Sequence, residues 1–287
     1  MAHAERDDGT PMIAFPRIDG RGLARVQNAL TAHPRGLFTD VDGTLSRIAP
    51  SPEAATLLPG VAELLEQARA HFDVVAAVSG RSALDAARLV GMRDIIYIGN
   101  HGLERLIPQQ DGQLALAIVP EAEPYVAEVL AALENIEETL GPRIPGLLVE
   151  HKGVTGSIHV RRTEDPSAAE EAVMRELARR GTAGALRVTR GKMVVEVRPP
   201  IAVDKGVAVA TLIEERGLRG ALYLGDDRTD IDAFRALRRL TELGVCACTS
   251  VAVLHTDSPP GLAQEADVAL DSIERVPEFL RWLLQQE

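Results

Sequence analysis

Short runs of apolar residues, each stopping abruptly at an acidic, hydroxyl or glycine residue, recur along this chain. They constrain its fold more than any other feature. Gly36-Leu37-Phe38-Thr39 runs into Asp40, Val74–Val78 into Ser79, Ile95–Ile98 into Gly99, and Ala221–Leu224 into Gly225-Asp226. The runs are apolar at consecutive positions, the pattern of strands covered on both faces. Stretches with helical spacing lie between them, at 22–31, 53–70, 82–90, 204–216, 229–240 and 274–285. Further strands are predicted at 244–248 and 267–270. This β-α-β order predicts an α/β fold built on a parallel sheet with helices on both sides.

The rhythm changes after about residue 106. A strand at 114–119 and a helix at 121–140 precede two strands, 147–151 and 157–162, joined by a Gly-rich turn. A helix at 167–180 then leads to paired strands at 186–190 and 193–198 around Arg190-Gly191. Neighbouring strands joined by tight Gly turns predict antiparallel pairing. One α/β domain is therefore expected, interrupted by an α+β insertion. The expected boundaries are a loose tail at 1–18, a core from 19–106 and 200–287, and an insertion at 107–199, with Pro199-Pro200 as a rigid return.

Four strand or helix ends carry reactive groups. Asp40-Val41-Asp42-Gly43-Thr44 follows the first strand, and carboxylates at i and i+2 on an extended segment can share one face. The plain alternative is a turn, which also favours Asp and Gly. Gly225-Asp226-Asp227-Arg228-Thr229-Asp230 opens a helix. Capping explains one or two of those carboxylates, but three within five residues repel one another, and a divalent cation relieves that. Val78-Ser79-Gly80-Arg81 can hold phosphate oxygens at a helix start, where a plain Ser cap is the alternative. Asp204-Lys205-Gly206 puts a cation at a helix N-terminus, where the dipole disfavours it unless an anion intervenes.

Composition sharpens the last point. Of 31 basic residues only Lys152, Lys192 and Lys205 are lysines. In so Arg-rich a chain, a Lys can mark a place that needs a compact point charge, with chance placement as the alternative. The formal charge of −11 and 3% aromatic content argue against nucleic acid or an anionic membrane as partner. No apolar run approaches a membrane span and the first residues lack an apolar signal core, so a cytoplasmic location is expected. Cys246 and Cys248 read as buried thiols rather than a metal set.

Taken in order, these motifs resemble the haloacid dehalogenase superfamily of phosphotransferases. The resemblance implies a Rossmann-like parallel-sheet core with an inserted α+β cap. It further implies Asp40 as nucleophile and metal ligand, and Asp42 as acid/base and, through its backbone carbonyl, metal ligand. Ser79 and Lys205 would bind phosphate, Asp226 would bind Mg²⁺, and Asp227 and Asp230 would support the site from behind. A closer resemblance runs through most of the chain. It rests on Asp40-Val-Asp-Gly-Thr-Leu, Ser79-Gly-Arg, Gly99-Asn-His-Gly-Leu-Glu104, Glu150-His-Lys152, His159-Val-Arg161, Lys192-Met-Val-Val-Glu-Val-Arg-Pro199 and Gly225-Asp-Asp-Arg-Thr-Asp-Ile-Asp-Ala-Phe234. These resemble the trehalose-6-phosphate phosphatase family.

That family resemblance implies a Mg²⁺-dependent phosphatase acting on a small sugar phosphate through an aspartyl-phosphate. Thr44, Ser79, Gly80, Arg81, Asn100, His101 and Arg161 would bind substrate, and Glu150, Lys152 and Glu196 would contact sugar hydroxyls. Two positions depart from the family pattern: Ile231 stands where a Glu is usual and Val160 where a Tyr is usual. The alternatives are another sugar-phosphate phosphatase, a phosphohexomutase or a silent sugar-phosphate sensor. The sequence leaves the oligomeric state open, a monomer included.

Overall fold

β3 (Arg35–Asp40) lies in the interior of an eight-stranded sheet, between β12 (Gly220–Gly225) and β4 (Val74–Val78). The sheet continues on one side through β13 (Ala247–Val253) and β14 (Val268–Leu270). On the other side it continues through β5 (Ile96–Gly99), β6 (Glu104–Pro108) and β7 (Leu114–Ile118). The six strands from β14 to β5 are mutually parallel, and β6 turns back antiparallel on β5. These positions come from a computed structural model. It describes residues 18–49, 54–179, 181 and 185–286, together with a two-strand pair, β1 (Ala4–Glu5) and β2 (Pro11–Met12). The expectation of a loose tail falls mostly on residues outside those described.

Consecutive strand residues feed opposite faces. Leu37, Val75, Leu222 and Leu224 join one buried cluster, with Leu23, Val26, Leu65, Phe279 and Leu280 from helices. Phe38, Ala76, Ala221 and Tyr223 join the other, with Val209, Leu212, Phe234 and Leu237. Both faces are thus helix-covered, and that is why the strand runs are apolar without alternation. The helices Gly20–Thr31, Val61–His71 and Arg275–Leu284 supply the first cluster. The helices Lys205–Glu215 and Arg228–Glu242 supply the second.

Four elements differ from the sequence expectation. The helix expected at 53–70 begins only at Val61, because Gly60, at φ +79°, sits in a left-handed turn after Pro59 and Leu57 bridges back to Ser46. The strand expected at 244–248 runs over Ala247–Val253. Thr249 and Ser250 look like loop residues, but they are buried, and Asp267 Oδ2 accepts from both the N–H and the Oγ of Ser250 at 3.0 Å. The segment 114–119, expected in the insertion, forms β7 at the edge of the large sheet, and β6 was not foreseen.

The chain divides into two compact units, Met1–Leu116 with Val203–Glu287, and Ala117–Ala202. The second has its own antiparallel sheet, in the order β10 (Arg187–Gly191), β11 (Val194–Arg198), β9 (Gly156–His159), β8 (Leu148–His151). The helices Val126–Leu140 and Pro166–Arg179 cover one face, packing Leu133, Ile136 and Val173 on Ile158, Val195 and Val197. By strand alternation, Glu150, Ser157 and Glu196 stand in register on the opposite face.

Candidate active site

Parallel register sets Thr39 beside Leu224 and Asp40 beside Val78. The motifs that follow β3, β4 and β12 therefore leave the sheet at one edge, its carboxyl end, where α/β sheets bind ligands. Asp40 ends β3 and is buried, as are Asp226 and Asp230. One carboxylate oxygen from each of the three can lie within 4.8 Å of the others.

Lys205 sits among these acids. Its Nζ donates to Asp40 Oδ1 at 2.5 Å and to Asp230 Oδ1 at 2.7 Å. Asp204 caps this helix by accepting from Val207 N at 2.8 Å, which fixes the first turn and the Lys205 stem. Burial alone would lower the Lys205 pKa, but Asp230 and Asp40 outweigh it and hold the ammonium firmly charged. Burial pushes Asp40 well above the usual carboxylate range; Lys205 works against that, while Asp230 and Asp226 add to it. Asp226 is raised by the same desolvation, with His255 opposing.

Asp230 and Asp226 are held very differently. Asp230 accepts from Lys205, from Tyr223 Oη at 2.6 Å and from the backbone N–H groups of Asp226 and Asp227 at 3.0 and 2.9 Å. Four donors use its lone pairs on the protein itself. Asp226 has weaker partners: Thr44 Oγ1 at 3.3 Å and His255 Nε2 at 3.5 Å. Its carboxylate lies against Gly43, where a Cβ would fall 2.0 Å from Oδ2, and Gly43 has φ +88°. Asp226 and Asp40 are accordingly the carboxylates open to a cation. Ionised together, three buried acids against one buried ammonium would carry an excess of negative charge, which a divalent, oxygen-loving ion would neutralise.

The second strand end approaches from β4. Arg81 grips Asp42 with both arms, Nε to Oδ2 at 2.6 Å and Nη2 to Oδ1 at 2.7 Å. Ser79 Oγ accepts from Arg81 N at 3.1 Å. Asn100 and His101 both have positive φ, 50° and 57°. Their N–H groups donate to Arg81 O and Ser79 O at 2.7 and 3.0 Å, which ties this strained turn to the Ser79 loop. His101 covers Gly80 so closely that a Cβ there would meet the imidazole at 2.6 Å. Behind them, Glu104 accepts from Ala83 N at 2.6 Å and is buried, which raises its pKa.

The trehalose-phosphatase family model matches residues 38–264, most of the chain. The chain belongs to the trehalose-phosphatase family. It is 36% identical over 266 residues to the trehalose-phosphate phosphatase of Mycobacterium leprae (strain TN), covering 90% of this chain and 59% of that one. It is 38% identical over 263 residues to that of Mycobacterium avium (strain 104), covering 88% and 63%. The chain thus spans about six tenths of the length of these curated relatives. Its fold matches the C-terminal domain of C. albicans trehalose-6-phosphate phosphatase at TM-score 0.70 and 23% identity, over 96% of this chain and 99% of that one. It also matches a haloacid dehalogenase-like hydrolase from Bacteroides thetaiotaomicron at TM-score 0.60 and 15% identity, over 86% and 98%.

In this trehalose-phosphatase family member the structure brings together Asp40, Lys205, Asp226, Asp230 and Thr44, and separately Asp42 with Arg81. Thr44 faces Asp226, and Asp227 opens the helix Arg228–Glu242 as its cap. On the unit Ala117–Ala202, Glu150 is engaged by His159 Nε2 at 2.9 Å and Lys152 Nζ at 3.5 Å. Burial alone would raise its pKa, but His159 and Lys152 outweigh it and lower it. Arg161 is exposed in the turn after β9. Sequence reasoning missed Tyr223 and His255, and it placed Glu104 in a motif without giving it a role. Tyr223 sits inside an apolar run, and His255 follows β13 with no local motif. No helix among the described residues is long and apolar enough to cross a membrane.

Proposed function

We propose that this chain is a Mg²⁺-dependent phosphatase that hydrolyses trehalose 6-phosphate through an aspartyl-phosphate on Asp40. The observation that carries this reading is the buried Asp40 carboxylate, hydrogen-bonded to Lys205 and within 4.8 Å of an Asp226 carboxylate whose side-chain partners among the described residues lie at 3.3 and 3.5 Å. Family membership and the names of the relatives support the substrate.

Asp40 and Asp226 would hold the Mg²⁺, with the Asp42 backbone carbonyl completing the protein's share as the superfamily resemblance implies. When bound, the ion neutralises the phosphoryl and carboxylate charges at this edge of the sheet. The chain's residues do the rest. Lys205 opposes the upward push of burial on Asp40 by placing an ammonium on Oδ1, and it offers the same charge to a phosphoryl oxygen. The other Asp40 oxygen attacks phosphorus in line and the ester P–O bond breaks. Asp42 gives its proton to the leaving sugar oxygen, then takes one from the water that cleaves the aspartyl-phosphate. Arg81 holds Asp42 in place, and the incoming phosphate competes for that guanidinium. Ser79 offers a hydroxyl donor at the end of β4. Glu150, Lys152 and Glu196 match the sugar hydroxyls. We read a small sugar phosphate as the partner, with neither nucleic acid nor a membrane, and the cytoplasm as the location.

The test is release of inorganic phosphate from trehalose 6-phosphate, glucose 6-phosphate and p-nitrophenyl phosphate, with Mg²⁺ and after EDTA treatment. Mg²⁺-dependent release, fastest from trehalose 6-phosphate and lost in Asp40→Asn, is expected. Equal rates on the two sugar phosphates would defeat the trehalose assignment. A folded Asp40→Asn variant that keeps its rate would defeat the mechanism.

A further inference from the structure

Asp226 poses a structural question that Asp230 does not. Asp230 is fixed by four short hydrogen bonds from its own and neighbouring elements. Among the described residues the Asp226 carboxylate has two long side-chain contacts, both to residues far away in sequence. Its direction is therefore set by whatever fixes the Gly43-Thr44 turn against it. The strongest tie on that turn from outside its own loop comes from His255, whose Nε2 lies 2.7 Å from the Gly43 carbonyl oxygen, 212 residues away. The same nitrogen is 3.5 Å from Asp226 Oδ2. His255 is itself anchored, because its backbone N–H donates to Ser258 Oγ at 2.7 Å in the turn that follows β13.

We propose that His255 is a positioning residue of the metal centre. Its imidazole joins the Gly43 carbonyl to the Asp226 carboxylate, and so holds Asp226 at the separation from Asp40 that lets both bind one cation. This rests on the metal reading given above. The physical case is one of pre-organisation. Two buried carboxylates that must converge on one ion repel each other, and a carboxylate with room to rotate will turn away. Gly43 blocks one direction by its closeness to Oδ2, Thr44 holds Oδ1, and His255 stands at Oδ2 while fixing the Gly43 peptide that does the blocking. Removing the imidazole frees the turn and the carboxylate together.

The experiment compares wild type, His255→Ala, His255→Gln and Asp226→Asn as purified full chains without substrate. Free Mn²⁺ is titrated by electron paramagnetic resonance, and folding is checked by circular dichroism and thermal midpoint. Glutamine keeps a donor at about the reach of Nε2, so His255→Gln should bind Mn²⁺ close to wild type. His255→Ala should bind about 10-fold or more weakly, as is typical when a residue supporting a metal ligand is lost. Its phosphatase rate should recover as Mg²⁺ is raised, whereas that of Asp226→Asn should not. A folded His255→Ala variant with wild-type Mn²⁺ affinity overturns the proposal, and so does a Gln variant as weak as Ala. A wild type that takes up no Mn²⁺ defeats the metal reading and this inference with it. Intact Mn²⁺ binding without turnover of trehalose 6-phosphate would defeat the substrate assignment while leaving His255 in its role.

Discussion

Lys205 is the residue at which sequence and structure speak most directly to each other. Its rarity in an Arg-rich chain marked it, and the structure gives the physical reason for a lysine. The ammonium is buried and bonded at 2.5 and 2.7 Å to two carboxylates that approach from different elements. A planar guanidinium presents its donors in a fixed fork and needs more room than this gap between Asp40 and Asp230 provides. Lys205→Arg should therefore lose about 100-fold or more in kcat despite keeping its charge, as when a fixed donor to developing charge is removed. Phosphate-release kinetics on the folded variant check this, and near-wild-type turnover would remove the steric argument. The core of the site was legible because Asp40, Asp226, Asp230 and Lys205 each stand at an element end with a recognisable local pattern. His255 and Tyr223 were not legible. Each acts through a single atom reaching across the fold, and one histidine after a strand or one tyrosine within an apolar run has no local mark of its partner.

Among the elements, the turn after β3 matters most. Gly43 combines φ +88° with an approach to Asp226 that a Cβ would reduce to 2.0 Å. A left-handed residue other than glycine costs about 1–3 kcal/mol, and here the methyl also collides with the Asp226 carboxylate, which would have to leave the position proposed for binding the metal. Gly43→Ala should lower the thermal midpoint and should weaken Mg²⁺ activation more than it lowers stability. Calorimetry alongside a Mg²⁺ titration of the rate separates the two effects, and a variant destabilised but normal in Mg²⁺ response would show that only strain is at stake. At this scale the sequence located the buried parallel strands well, since both faces of β3, β4 and β12 are covered and nothing in them competes with the apolar signal. It misplaced β13, where Thr249 and Ser250 are buried and Ser250 bonds to Asp267 inside the fold, and it started the second helix too early, where Pro59-Gly60 breaks the chain. At β13 a tertiary contact overrode the local pattern, whereas at the helix the break is itself local, a left-handed glycine after a proline.

For the whole molecule, the division of labour proposed for the two units gives a prediction of its own. If phosphate chemistry belongs to the core and sugar recognition to the unit Ala117–Ala202, Glu150→Ala should reduce kcat/KM for trehalose 6-phosphate by about 10–100-fold, the worth of a hydrogen bond to a charged group. It should barely change the rate with p-nitrophenyl phosphate, which has no sugar to match. Equal losses on both substrates would make Glu150 a support for the fold through His159 and Lys152. The order of the strands has a further consequence, in time rather than in space. β3 lies between β4 and β12, yet β12 begins at Gly220, long after β3 leaves the ribosome. At ~5–20 residues per second, roughly 7–30 s pass between the end of β4 and the end of β12, in which β3 has a neighbour on one side only. For that interval an apolar central strand is an open edge, able to pair with another chain. Asp40 meets its ammonium only at the end of it, when Lys205 and then β12 arrive. On the mechanism proposed above, the nascent protein stays inert until β12 is made, and a chain cut short before Gly220 would keep β3 as an open edge.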